Sequence, residues 1–219
     1  MCGRFSLSKI DQLSLRFGVE AVGGQARYNI APTQTIPVVV NDQEPRLVQM
    51  RWGLIPSWAK DKSLGNKMIN ARAETVAEKP SFKGSLVSRR CIIPADGFFE
   101  WKDLRDMGKQ PYRITHRDEQ LLGFAGLWDV WSSPEGERVY SCTIITTTPN
   151  ELMAPIHNRM PVILTRETEM IWLDPTLVQP QLLQEVLRPY PSDLLKAYPV
   201  SKAVNSSTND LAECVLPLC

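Results

Sequence analysis

The apolar residues of this chain come in short runs, and that fact limits the fold more than any other feature of the sequence. Residues 36–40, 46–51, 91–93, 97–101, 112–115, 121–130 and 139–147 are rich in β-branched and aromatic side chains, and turn-forming residues bound most of them. Helix signals are fewer. Ser8 precedes an amphipathic stretch over 9–17 that Gly18 ends; the other helical patterns cover 71–78, 166–173 behind Thr165, and 177–187 around Pro180. Strands and helices do not alternate regularly, which disfavours a doubly wound parallel sheet. The pattern predicts an α+β fold, mainly antiparallel β-sheet or an open barrel with peripheral helices. Residues 103–110 and 132–138 read as hairpin loops, and no repeat or low-complexity linker interrupts the chain, so residues 1–219 are expected to form one domain. Seventeen prolines, several in apolar company, suit rigid, shaped loops.

Composition narrows the function classes. With 219 residues, 43% of them hydrophobic and 22% charged, the chain can bury a substantial core. No apolar run is long enough to span a membrane and no signal core follows the start, which predicts an untargeted cytoplasmic protein without membrane partners. The net charge of +1 excludes a protein held on nucleic acid by bulk charge. Residues 1–110, however, carry 17 Lys/Arg against 11 Asp/Glu, and the remainder 8 against 13. That asymmetry hints at a local surface for a polyanion. The five cysteines contain no CxxC pair and the histidines are His116 and His157, so neither a zinc site nor any other metal or cofactor is expected. Cys91 and Cys142 read as small buried strand residues.

Chemistry starts at Met1-Cys2-Gly3-Arg4. Initiator methionine is removed ahead of a small residue, which would leave Cys2 as a 1,2-aminothiol. Its α-amine, with a pKa of about 7.7 to 8.0, is substantially neutral near physiological pH, and a thiol of pKa about 8.5 lies two carbons away. An aldehyde would condense with the amine as an imine, which the sulfur then closes to a thiazolidine. The thiolate could instead attack a carbonyl with its own amine as base, as in N-terminal-nucleophile hydrolases. Gly3 permits close approach of a ligand and Arg4 supplies a cation.

Three further clusters stand out. Basic residues and tryptophans interleave over 51–60, a composition that can follow a phosphate backbone and stack on unpaired bases, although Trp52 and Trp58 fit core packing equally well. Asn70-Ala-Arg72-Ala-Glu74 follows, where Arg72 could grip a phosphate or pair with Glu74 or Glu78. In 97–102, strand alternation puts Phe98 and Glu100 on one face and Phe99 and Trp101 on the other. Aromatic surroundings would raise the pKa of Glu100 toward that of a general acid/base, the alternative being an exposed carboxylate paired with Lys102 or Arg113. His157, in a loop just before a strand at 162–164, suits proton transfer, whereas His116 looks like a solvated turn residue.

Taken in order, Met1-Cys-Gly-Arg-Phe5, Arg27-Tyr-Asn-Ile-Ala-Pro32, Arg51-Trp-Gly-Leu-Ile-Pro56, Asn70-Ala-Arg-Ala-Glu-Thr75, the block 90–101 and Pro155-Ile-His-Asn-Arg-Met-Pro161 closely resemble the SOS response-associated peptidase (SRAP) family over about residues 1–205. The resemblance implies a sensor and shield of abasic sites in single-stranded DNA, linked covalently to the lesion as a thiazolidine through Cys2. It implies roles as well. Cys2 would be the nucleophile, Glu100 the proton shuttle, His157 the proton donor to the sugar oxygen, and Asn70 the group orienting amine or sugar. Arg4 and Arg72 would hold phosphates, with Thr146 and Gly3 as further contacts, and Trp52, Gly53, Pro32 and Phe82 would line or wedge the DNA path. The family name adds a peptidase activity, read as removal of residues ahead of the cysteine, and a lyase-type activity is a further expectation. The expected partner is single-stranded DNA with abasic sites, with no membrane or metal, and the chain is expected to be a monomer. Two rivals remain: an N-terminal-nucleophile peptidase or amidase acting on other proteins, and a non-enzymatic single-stranded DNA binder.

Overall fold

The computed structural model describes residues 2–20, 23–41 and 43–218; Met1 and Cys219 lie outside the described residues. The strands in chain order are β1 (Phe5–Leu7), β2 (Arg27–Ile30), β3 (Thr35–Asn41), β4 (Pro45–Trp52), β5 (Asn70–Arg72), β6 (Arg90–Ala95), β7 (Gly97–Asp103), β8 (Lys109–His116), β9 (Leu122–Ser132), β10 (Arg138–Thr147), β11 (Met160–Pro161), β12 (Ile163–Leu164) and β13 (Leu195–Pro199). Helices α1 (Leu13–Phe17), α2 (Lys83–Ser88), α3 (Arg166–Leu173) and α4 (Pro180–Glu185) are short and peripheral. One sheet is antiparallel, in the order β13-β8-β7-β1-β2. In the other, β10-β4-β3-β6-β9 closes on itself because β9 also pairs with β10. The predicted α+β architecture is present, and its barrel is closed, which leaves the ring without edges.

One contact of the ring, β10 with β4, is parallel, Ser141 against Arg51 and Cys142 against Trp52, and joins segments far apart in sequence. Gly126 lets the ring tighten: a Cβ there would lie 2.2 Å from Ile93 Cδ1 and 2.9 Å from the Thr143 carbonyl oxygen. The two sheets share a core built around four fully buried aromatic rings. Phe5 meets Trp52 edge-on at 5.2 Å and Phe124 at 6.1 Å, and Phe98 meets Phe124 at 5.9 Å. Cys91 and Cys142 are buried in this interior, as expected of small strand residues.

Local structure departs from the sequence reading where tertiary pairing overrides propensity. Residues 71–78 are no helix: residues 70–72 form β5, held parallel to β10, and turns follow. The stretch 9–17 is a tight turn at Ile10–Gln12 running into α1, with Gly18 at φ 64° closing it. Ser8 caps no helix and instead bonds Asp96. In α3 Thr165 and Thr168 form a reciprocal capping box. Helix α4 is shorter than expected and begins at Pro180, where the missing N–H costs nothing. Among the described residues no helix is long and apolar enough to cross a membrane.

Candidate active site

The site is organised by β1, which lies between β2 and β7. Phe5 pairs with Phe98, and one residue earlier the Phe99 N–H donates to the Arg4 carbonyl at 3.0 Å. The chain ahead of β1 therefore runs antiparallel to β7, in the direction of Glu100. A buried carboxylate holds this segment. Asp96 accepts hydrogen bonds from Ser6 Oγ at 2.5 Å, Ser8 Oγ at 2.7 Å, the backbone N–H of Ser8 and of Lys9, and Arg113 Nη2 at 2.9 Å.

Cys2 is fully buried, and burial pushes its thiol well above the ordinary value, with the charge of Glu100 adding to the rise. Glu100 is 2% exposed and shares the inward face with Phe98, as strand alternation predicts, while Phe99 and Trp101 belong to a separate cluster with Val200, Val204 and Cys214. Burial lifts the Glu100 carboxyl to about 7. His157 Nε2 lies 3.8 Å from Glu100 Oε2. Its Nδ1 lies 3.0 Å from the Arg159 backbone nitrogen and 3.2 Å from the Arg159 carbonyl oxygen, which holds the ring with Nε2 facing the carboxylate. Burial lowers the imidazole's pKa, and the charges of Lys109 and Arg159 act in the same direction.

One end of β10 gathers the remaining residues. On one side β5 sets Asn70 against Ile144 and Arg72 against Thr146, and on the other β11 sets Pro161 against Thr146. The Asn70 amide donates to the Ile69 carbonyl at 3.0 Å, and its Oδ1 is buried with no hydrogen-bond partner among the described residues. Arg72 is exposed, and Thr146 is buried with Oγ1 3.4 Å from the Ala71 carbonyl. The partner of Glu74 is neither Arg72 nor a helical neighbour. Arg159 grips it with both nitrogens, at 2.6 and 3.0 Å, and also donates to the Thr146 carbonyl at 2.6 Å. Sequence reasoning missed this tie: it offered Glu74 to Arg72 and left Arg159 without a role.

Other expected contacts have structural employment. Trp52 is fully buried, donates from Nε1 to the Ile69 carbonyl at 2.9 Å and packs on Phe5, so its indole sits in the core, the placement the sequence offered beside a stacking one. Trp58, 58% exposed, is the tryptophan of that stretch available at the surface. Gly53 sits at φ 126°, and a Cβ there would come within 2.5 Å of the Gly65 carbonyl, so this loop needs a glycine. Arg4 donates to Asn29 Oδ1 at 2.8 Å and the Val204 carbonyl at 2.7 Å, which fastens the N-terminal segment to the chain after β13. Gly3, Pro32 and Phe82 are half-buried, Phe82 against the cluster around Leu86. Among the described residues no group of three or more His, Cys, Asp or Glu is placed to hold a metal ion.

The sequence profile of the family described as SOS response associated peptidase (SRAP) matches residues 1–207. The chain belongs to that family. SRAP relatives include the abasic site processing protein YoqW of Bacillus subtilis (strain 168), 52% identical over 98% of this chain and 99% of that protein. The abasic site processing protein HMCES of Gallus gallus is 36% identical, over 87% of this chain and 66% of its own length. A crystal structure of a Bacteroides thetaiotaomicron protein superposes with a TM-score of 0.87 at 31% identity, covering 99% of this SRAP chain and all of the other. These matches run across both sheets.

Proposed function

We propose that this SRAP protein processes abasic sites in single-stranded DNA, capturing the open-chain aldehyde of the lesion through Cys2 once Met1 has been removed, and that the whole chain acts as one cytoplasmic domain. The observation that carries the reading is the Glu100 carboxyl, lifted by burial to about 7, beside the Cys2 thiol and 3.8 Å from the imidazole Nε2 of His157. A carboxyl of that pKa can both give and take a proton near neutrality.

The chemistry orders itself. Burial keeps the sulfur protonated, so the α-amine is the first nucleophile. It adds to the aldehyde carbon and one water leaves, giving an imine. The sulfur then adds to the imine carbon while its proton ends on the nitrogen, so one C–N and one C–S bond form for the loss of one water. Glu100 carries the protons among amine, departing hydroxyl and imine nitrogen. His157, as the imidazolium, donates from Nε2 to the ring oxygen when the sugar opens and is left as the neutral imidazole. The partnerless Oδ1 of Asn70 is an acceptor for the amine or a sugar hydroxyl. Exposed Arg72 suits a phosphate beside the lesion. Capture requires no peptidase or lyase step beyond release of the α-amine.

The test is incubation with a single-stranded oligonucleotide carrying one abasic site, read as a heat-stable shifted band. The parent protein should give the band, Cys2→Ala should not, and Cys2→Ser, which keeps the amine without the sulfur, should give only a labile adduct. No band from the parent, or a stable band from Cys2→Ala, overturns the assignment.

A further inference from the structure

Beside the Glu100–His157 pair lies a cavity of about 350 Å³ lined by Glu100, Trp101, Lys109, His157 and Asn205. Two of its walls are fixed: Trp101 Nε1 donates to Asn205 Oδ1 at 2.8 Å, and the Arg4 guanidinium carbon lies 6.0 Å from the centroid of the Trp101 ring. Lys109, the first residue of β8, is different. It is exposed, and among the described residues its ammonium makes neither an ion pair nor a side-chain hydrogen bond. The capture chemistry has no step for a lysine there. Its charge nevertheless reaches His157 and disfavours the imidazolium, which works against a histidine that must donate a proton. An anion seated between them would cancel that effect.

The cavity is of the size that holds a small organic group rather than a bare ion. With Lys109 on its rim, Arg4 behind Trp101 and a single carboxyl in its lining, its charge complements an anion. A captured abasic sugar within a strand carries a phosphodiester on each side. We propose that this cavity seats the nucleotide next to the captured sugar, with Lys109 holding its phosphate; this rests on the reading of the site as an abasic-site capture centre. Lys109 is then a determinant of how much strand must flank the lesion.

The test separates the subsite from the capture reading. Binding is measured by fluorescence anisotropy on single-stranded oligonucleotides carrying a tetrahydrofuran residue, which lacks the aldehyde and cannot crosslink. The residue is placed internally, at the 5′ end without a 5′ phosphate, or at the 3′ end without a 3′ phosphate. Lys109→Ala should weaken binding of the internal substrate about tenfold, the size of one charge-assisted contact. It should also lower the slope of log affinity against log salt by about 0.7. Lys109→Arg should restore both. The loss should vanish on one of the two terminal substrates, which identifies the phosphate as 5′ or 3′. Equal losses on all three substrates, or no loss on the internal one, overturn the subsite. A Lys109 effect that persists while the parent forms no adduct with aldehyde-bearing DNA overturns the capture reading and leaves the subsite standing.

Discussion

Asp96, just ahead of β7, and Glu100, in its middle, sit four residues apart and are each 2% exposed, yet their pKa values are shifted in opposite directions. At Asp96 burial raises the pKa, but hydrogen bonds from Ser6 and Ser8 and the charge of Arg113 outweigh it, and the carboxylate is held below its ordinary range. At Glu100 burial prevails and the carboxyl rises to about 7. Equal burial therefore predicts nothing about function. The donors built around a carboxylate decide whether it is held ionised or left able to exchange a proton near neutrality.

The contrast can be broken at four points, in order of expected effect. Glu100→Gln keeps the shape and removes the proton carrier, so single-turnover crosslinking to abasic DNA should slow by about 10² to 10⁴-fold. The inflection near pH 7 in the parent's rate profile should disappear from the variant. Asp96→Ala leaves Arg113, 8% exposed at its side chain, without its carboxylate, and should cost about 3 to 5 kcal/mol in urea denaturation. Stability against pH should sharpen the difference in sign. Because the Glu100 pKa lies above its ordinary 4.5, the folded protein keeps a proton that the unfolded chain has lost between about pH 4.5 and 7. Stability should fall as pH rises through that window, by about 3 kcal/mol, and Glu100→Gln should abolish the fall. Asp96 acts the other way, contributing stability above the unfolded carboxylate pKa that is lost as the solution is acidified. Ser8→Ala removes one donor to Asp96 and should cost about 1 to 2 kcal/mol, with the crosslinking rate at saturating DNA unchanged.

Much of β7 was legible in the sequence because alternation is local. Phe98 and Glu100 face inward together, and His157 lies in the loop where it was expected. The strands rich in Val and Ile were legible for the same reason. The Asp96 clamp was not, because its donors come from Ser6, Ser8 and Arg113, and nothing in the local pattern brings those to one carboxylate. Residues 71–78 misled: an Ala-rich stretch has high helix propensity, and only the pairing of β5 with β10 makes it extended. Trp52 was ambiguous in principle, since the same indole suits a stacking surface or a core, and its burial follows from the parallel pairing of β4 with β10 within the barrel.

The position of β10 has a consequence for synthesis. Asn70 and Arg72 flank one side of this strand and the segment leading from His157 to β11 the other, so neither half of the site has its scaffold until residues 138–161 exist. Translation delivers Cys2 first and His157 some 155 residues later. At about 5 to 20 residues per second that interval is on the order of ten seconds. A nascent chain thus carries the Cys2 thiol well before the Glu100 carboxyl and the His157 imidazole, and the pocket that holds all three closes only when the chain is nearly three-quarters made.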